Sequence, residues 1–241
     1  MTDRILGYQP EFPAGNTPPT GGSGVTSYAA SAQPSIVPES EVKETEKVEP
    51  YMLLSGGRKL HLPRPFPGEI CIEDIAHALS HICRFGGHTS HFYSVAEHSL
   101  CVSYYVGIQP TRTLEELHQK RIHALAGLLH DGPEAYLGDM IRPLKHSTVV
   151  GEEYRVFEAI LQREIFRTFG LPAELPKVVL EGDEVYCERE LGALILGRGP
   201  VTLLDAEYPP DIVREGFLRR FYALQNAIQL GPALAKLLPE E

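Results

Sequence analysis

The chain reads as all-α: a helical bundle preceded by a short N-terminal β-hairpin and a disordered N-terminal tail. Three observations predict this. From Ile72 to Gln229, apolar residues recur mostly at three- and four-residue spacing, the period of one helix face. Gly-Pro pairs and Ser or Thr caps cut that pattern into about six segments with short connections, as in a single helical domain. The third observation is at the N-terminus. Half of residues 1–40 are Gly, Pro, Ser or Thr, and ESEVKETEKVE (39–49) is charged and apolar-poor. Such a segment buries too little apolar area to offset its ordering entropy. We read 1–47 as tail and linker, and 48–241 as the folded domain. Tyr8, Phe12 and Tyr28 are the tail's possible anchors if it carries an interaction motif.

MLLSGGRKLHL (52–62) places Ser-Gly-Gly between two short apolar runs, a hairpin pattern. Pro63, Pro65, Pro67 and Gly68 then form a loop. Glu73–Cys83 carries Ile75, Leu79 and Ile82 on one stripe, with Gly86-Gly87 as its stop. Ser94-x-x-Glu97 is a capping box opening a helix through Val106. Thr113 caps a helix with Leu114, Leu117, Leu125 and Leu128 as its apolar positions. That helix stops near Asp131, because Gly132-Pro133 follows. Pro133 can open a short helix toward Leu137. Glu152–Phe169 aligns Tyr154, Phe157, Leu161, Ile165 and Phe169. Pro176 starts a helix through Leu196, and Asp211–Gln229 carries Val213, Phe217, Phe221, Leu224 and Ile228.

Composition narrows the function. The 241 residues include 22 Lys and Arg against 32 Asp and Glu, a net charge of −10. A protein that coats nucleic acid needs the opposite balance. Any phosphate ligand would need a local basic pocket or a metal ion. No stretch approaches the ~20 consecutive apolar residues of a membrane span, and the N-terminus lacks a signal-peptide pattern. Cys71, Cys83, Cys101 and Cys187 form no C-x-x-C pair. They read as reduced thiols of a cytoplasmic protein.

The chemistry concentrates in histidines and carboxylates. Ten histidines are present, most of them between 77 and 130. His98 lies early in a capped helix, His130-Asp131 at a helix end before a Gly-Pro break, and Asp183 on an apolar stripe with Val179, Tyr186 and Cys187. A carboxylate there is costly to bury unless it is paired or metal-bound. Two imidazoles and two carboxylates from three helices suit a divalent metal ion (Mn, Co, Zn, Fe or Mg) with positions open to water and substrate. The same residues could instead be satisfied by hydrogen bonds inside a core. His77 and His81 have i,i+4 spacing that can bind metal, but read more simply as surface histidines.

The order H…HD…D on successive helices resembles the HD-domain metal-dependent phosphohydrolases. SVAEHS (94–99), LLHDGPEAYLGDMIRPLK (128–145) and EGDEVYCERE (181–190) are similar to segments of the bacterial 5′-deoxynucleotidase branch. CRFGGHT (83–89) resembles a phage and bacterial subgroup that includes dATP triphosphohydrolases. The resemblance spans about residues 52–195. It implies a metal site of His98, His130, Asp131 and Asp183. It implies that Glu134, the Glu of HD-x-x-E, orients or deprotonates the attacking water. Asp139 matches a second active-site acid that in some members reads the sugar 2′ position. Arg84 and Lys145 match phosphate contacts, and Phe85 falls beside the nucleoside. Glu134 could equally cap its short helix, and Phe85 could be core.

The implied reaction is divalent-metal-dependent hydrolysis at the α-phosphorus of a (deoxy)nucleotide. A dNTP such as dATP would yield deoxynucleoside plus triphosphate; a dNMP would yield deoxynucleoside plus phosphate. A signalling-nucleotide hydrolase and a non-catalytic nucleotide-binding module are the other readings. Ala135 after Glu134 departs from the Glu-Asp pair of alarmone hydrolases, and no Gly-Tyr-Pro tripeptide is present. All the motif positions are intact, which disfavours a non-catalytic module. The partner expected is a small-molecule nucleotide, with no nucleic-acid polymer and no membrane, and family likeness implies a homo-oligomer.

Overall fold

The computed structural model of the chain describes residues 50–198 and 207–235. The tail expected over 1–47 lies outside them. Strands β1 (Tyr51–Leu53) and β2 (Lys59–His61) pair antiparallel, with Met52 opposite Leu60. Ser55–Gly57 makes the turn, and Leu60 is fully buried against the helices. Eight α-helices follow among the described residues: α1 (Ile72–His81), α2 (Val95–Gly107), α3 (Leu114–Leu128), α4 (Glu134–Leu137), α5 (Arg142–Ser147), α6 (Val149–Thr168), α7 (Lys177–Glu190) and α8 (Pro210–Ala235). The helical bundle and its hairpin are as the sequence predicts.

Helix α2 is the hub, packing against α1, α3, α7 and α8. Its start is the capping box read from sequence. The Glu97 amide donates to Ser94 Oγ at 3.2 Å, and the Ser94 amide donates to Glu97 Oε2 at 2.7 Å. Thr113 caps α3 through the Glu116 amide at 3.1 Å. Val102, Leu125, Leu128, Leu161, Ile165, Phe166 and Phe217 are each buried to 0–1% exposure. Removing each such side chain from water contributes about 1.5–3 kcal/mol. Two glycines let helices approach closely where the site forms. A Cβ on Gly127 would sit 3.4 Å from Val102, so α3 lies tight against α2. Gly182 does the same for α7 against Tyr105 of α2.

Several expectations need correction. Helix α1 ends at His81, not at Cys83. Residues 82–84 instead bridge the segment before α2: the Val95 amide donates to Ile82 O at 3.0 Å and the Arg84 amide to Tyr93 O at 2.9 Å. Extended pairing wins over one more helical turn, and Gly86-Gly87 shapes a separate 3-10 turn (Arg84–Gly87). Leu114 and Phe157 are 53% and 41% exposed rather than core, because helical spacing fixes a face but not what covers it. Helix α5 has no counterpart in the apolar pattern of the sequence. It is short and carries no buried residue, so it leaves no apolar stripe to read. Helix α6 starts at Val149, capped by Thr148, whose Oγ1 accepts from the Gly151 amide at 3.0 Å. The segment from Pro176 ends in a π-helical turn, Leu191–Ile195.

Candidate metal centre and phosphate cavity

Two helices and one turn bring the expected ligands together. His98 lies on the first turn of α2, fully buried. His130 and Asp131 lie in the turn between α3 and α4, where Gly132-Pro133 prevents α3 from continuing. Asp183 lies mid-way along α7. His98 Nε2 is 3.3 Å from His130 Nε2, 3.1 Å from Asp183 Oδ1 and 3.7 Å from Asp131 Oδ2. His130 Nε2 is 3.3 Å from Asp131 Oδ2 and 3.9 Å from Asp183 Oδ1. One ligand atom each from His98, His130 and Asp183 falls within a 4.8 Å span.

The donor set fits a cation. His98 Nδ1 faces the Glu190 carboxylate at 2.7 Å, and His130 Nδ1 faces the Gly127 carbonyl at 2.8 Å. Both partners only accept, so each Nδ1 carries a hydrogen, and a ring that yields its other proton to a metal ion turns an Nε2 lone pair inward. Two such lone pairs and two carboxylate oxygens around one point repel unless a positive charge sits among them. The titration behaviour agrees. Burial and the Arg84 charge oppose a His98 imidazolium, yet Glu190 and Asp183 outweigh them and push it up to about 9. Burial raises the Asp183 carboxyl, but its hydrogen bond to His98 and the His130 charge hold it well below the usual range. Asp131 is likewise held low, its burial outweighed by His130, His98 and Arg84.

The other expected residues surround a cavity of about 510 Å³ that opens beside this cluster. Arg84, Phe85, Glu134, Asp139 and Lys145 all line it, together with Asp131 and Asp183. Arg84 is almost wholly buried. Its Nε donates to Glu190 Oε2 at 3.0 Å and its Nη1 to Asp131 Oδ2 at 3.4 Å. Phe85 has φ +54°, ψ +30°, a left-handed conformation costing a non-glycine residue about 1–3 kcal/mol. Lys145 pairs with Glu158 at 2.6 Å.

Glu134 is 3% exposed, and its Oε2 has no partner among the described residues. Burial, then the neighbouring Asp131 and Asp139 charges, hold its carboxyl well above the usual range. Burial likewise raises Asp139. A buried acid facing a cleft with a raised pKa is what a proton-handling group requires.

Comparison with known proteins decides the family. The HD domain family matches residues 81–182. An uncharacterized protein of Rhodobacter capsulatus is 34% identical over 204 residues, covering 74% of this chain and 97% of that protein. The chain belongs to the HD-domain family. The uncharacterized protein YfdR of Escherichia coli K12 is 33% identical over 143 residues, 59% of this chain and 71% of that protein. HD-domain phosphohydrolases bind divalent metals, and the His98, His130, Asp183 cluster is the corresponding feature here. HD-domain membership makes the chain a hydrolase in class. None of its described helices is long and apolar enough to cross a membrane.

Two residues of this HD-domain site escaped the sequence reading. Glu190, at 0% exposure, accepts from His98, Arg84 and Tyr93, and Tyr93 is 1% exposed. Glu190 lies seven residues after Asp183, two turns along α7 and on the same face. That spacing and its place at the end of EGDEVYCERE are its signals in the sequence. The His77 and His81 rings pack 4.4 Å apart and join no metal-compatible cluster among the described residues. Thr89, the last residue of CRFGGHT, donates to the His91 carbonyl at 2.6 Å.

Proposed function

We propose that this chain hydrolyses deoxynucleotides at the α-phosphorus, releasing deoxynucleoside. One observation carries the reading. Convergent imidazole and carboxylate ligands open onto a cavity lined by a guanidinium, an ammonium and a phenyl ring. A divalent ion held by His98, His130, Asp131 and Asp183 would supply Lewis acidity toward a phosphoryl oxygen and lower the pKa of water.

The chain's own residues then divide the work. Arg84, held at Nε by Glu190, offers its remaining N–H donors to phosphate, for which a planar fork is suited. Lys145 adds positive charge on the same wall. Phe85 offers a face on which the base stacks. Glu134 takes the proton of the attacking water at its carboxylate, whose proton affinity burial raises. Asp139 reads the sugar.

Length of the phosphate tail separates two readings. CRFGGHT favours a dNTP, with triphosphate as the second product. The ion pairs favour a dNMP: Arg84 is matched by Glu190 and Asp131, Lys145 by Glu158, and Arg142 by Glu184 at 2.8 Å. With its cations already partnered, the wall holds little spare charge for a β,γ-diphosphate.

The test is product analysis by chromatography. Chelated protein is supplied with Mn²⁺, Co²⁺, Mg²⁺ or Zn²⁺ singly, then with each dNMP and dNTP. Deoxynucleoside plus phosphate from dNMPs alone selects the nucleotidase reading. Deoxynucleoside plus triphosphate selects the other. Absence of turnover with every metal and every nucleotide overturns both.

A further inference from the structure

Glu190 is the only fully buried carboxylate among the described residues, and it touches both the ligand side and the cavity side of the site. Its two oxygens divide between two functions. Oε1 accepts from His98 Nδ1 at 2.7 Å and from Tyr93 OH at 2.9 Å. Oε2 accepts from Arg84 Nε at 3.0 Å. Arg84 in turn reaches Asp131. A closed path therefore runs from one ligand-bearing element to another: α2 through His98, α7 through Glu190, the 3-10 turn through Arg84, and the turn before α4 through Asp131.

We propose that Glu190 is a positioning residue that fixes His98 with Nε2 toward the metal and, through its other oxygen, aims Arg84 into the cavity. The metal arm stands on the donor geometry alone. The Arg84 arm rests on the function proposed above. Tautomer control follows from chemistry: a carboxylate accepts and never donates when ionised, so His98 must present Nδ1–H to it, and the nitrogen that gives up its proton to a metal ion is Nε2. The guanidinium is controlled in the same way. With Nε held from behind, its outer nitrogens face Asp131 and the open cavity. One buried charge thus prepares the centre for a cation and for an anion, and burial makes each of its bonds stronger than a surface contact.

Glu190→Gln separates this from simple packing. The side chain keeps its size, but an amide accepts on one side only. If its oxygen stays with His98 and Tyr93, its NH₂ faces the Arg84 N–H and releases the guanidinium. If it turns round, His98 loses its acceptor. The first readout is Mn²⁺ titration of the chelated full chain by calorimetry, with folding checked by circular dichroism. We expect binding ~10–100-fold weaker than wild type if the amide abandons His98, the range seen when partners of metal ligands are lost. The second readout is KM against kcat at saturating Mn²⁺. We expect KM to rise more than kcat falls if the amide abandons Arg84.

Folded Glu190→Gln protein with wild-type Mn²⁺ affinity and an unchanged KM overturns the proposal. If this variant does not fold, Tyr93→Phe serves instead. It removes only the third donor to Glu190 and keeps the charge. Mn²⁺ binding weakened severalfold supports the proposal, and unchanged binding with an unchanged KM overturns it. A wild type that binds Mn²⁺ but turns over no nucleotide removes the function reading and leaves the metal arm standing. A wild type that binds no Mn²⁺ overturns both.

Discussion

A carboxyl group at 3% exposure with an oxygen lacking a partner works against folding. Glu134 is such a group, and its raised pKa fixes two pH dependences. The folded protein holds the proton more tightly than the unfolded chain, whose Glu titrates near ~4.3. Stability from the neutral carboxyl is therefore full below that value and is lost as pH rises through the higher folded one. Glu134→Gln stays neutral throughout. In metal-free protein it should melt higher than wild type at neutral pH, by a margin that widens on going from pH 5 to pH 8; a constant margin in calorimetry would contradict this. Catalysis has the opposite sign, because a proton acceptor must first be ionised. Wild-type rate should climb with pH through an apparent value above the ordinary carboxylate range. The Gln variant should lose about 10²–10⁴-fold in kcat while still binding Mn²⁺.

Helix spacing decides whether the ligands meet. Asp183 follows Gly182, whose hydrogen faces the Tyr105 ring of α2; an added Cβ would lie 2.8 Å from Tyr105 Cδ1. Gly182→Ala should force α7 outward from α2, carrying Asp183 away from His98. The overpacking costs about 1–3 kcal/mol, partly offset by alanine's ~1 kcal/mol advantage over glycine within a helix. Both the melting temperature and the Mn²⁺ affinity should fall, as read by calorimetry. A fall in melting temperature with unchanged affinity would mean that Asp183 placement does not depend on this contact. The same scale explains what the sequence concealed. The Ser94 and Thr113 caps were legible because a cap is local. The end of α1 at His81 was not, since it is imposed by pairing with Tyr93 and Val95 across the chain.

For the molecule as a whole, the metal should act as a folding ligand. It would join α2, α7 and the turn after α3, and an ion that binds only the native state stabilises it by ~2.7 kcal/mol at a hundredfold excess over Kd. Mn²⁺ should therefore raise the melting temperature of chelated wild type. His130→Ala and Asp131→Ala should remain folded, lose most of that increase and lose metal-dependent hydrolysis. Full activity in both variants would remove the metal assignment. Thermal shift and product chromatography on the same preparations measure the two losses together.

The sequence by itself determined the helical class, the hairpin, most helix caps and the residues that gather at the metal centre. The class, hairpin and caps are written in local spacing: apolar period, cap chemistry, a Gly-Pro break; the HD pair and its following Glu drew their roles from resemblance to a family. Tertiary structure alone decided the rest. It exposed Phe157 and Leu114 while burying Leu161 and Leu125 on the same helices, because burial depends on which neighbour arrives. It also gave Glu190 its partners, 92 residues from His98 and 106 from Arg84 along the chain. A carboxylate's neighbours set its role, and they come from helices whose packing no local pattern records.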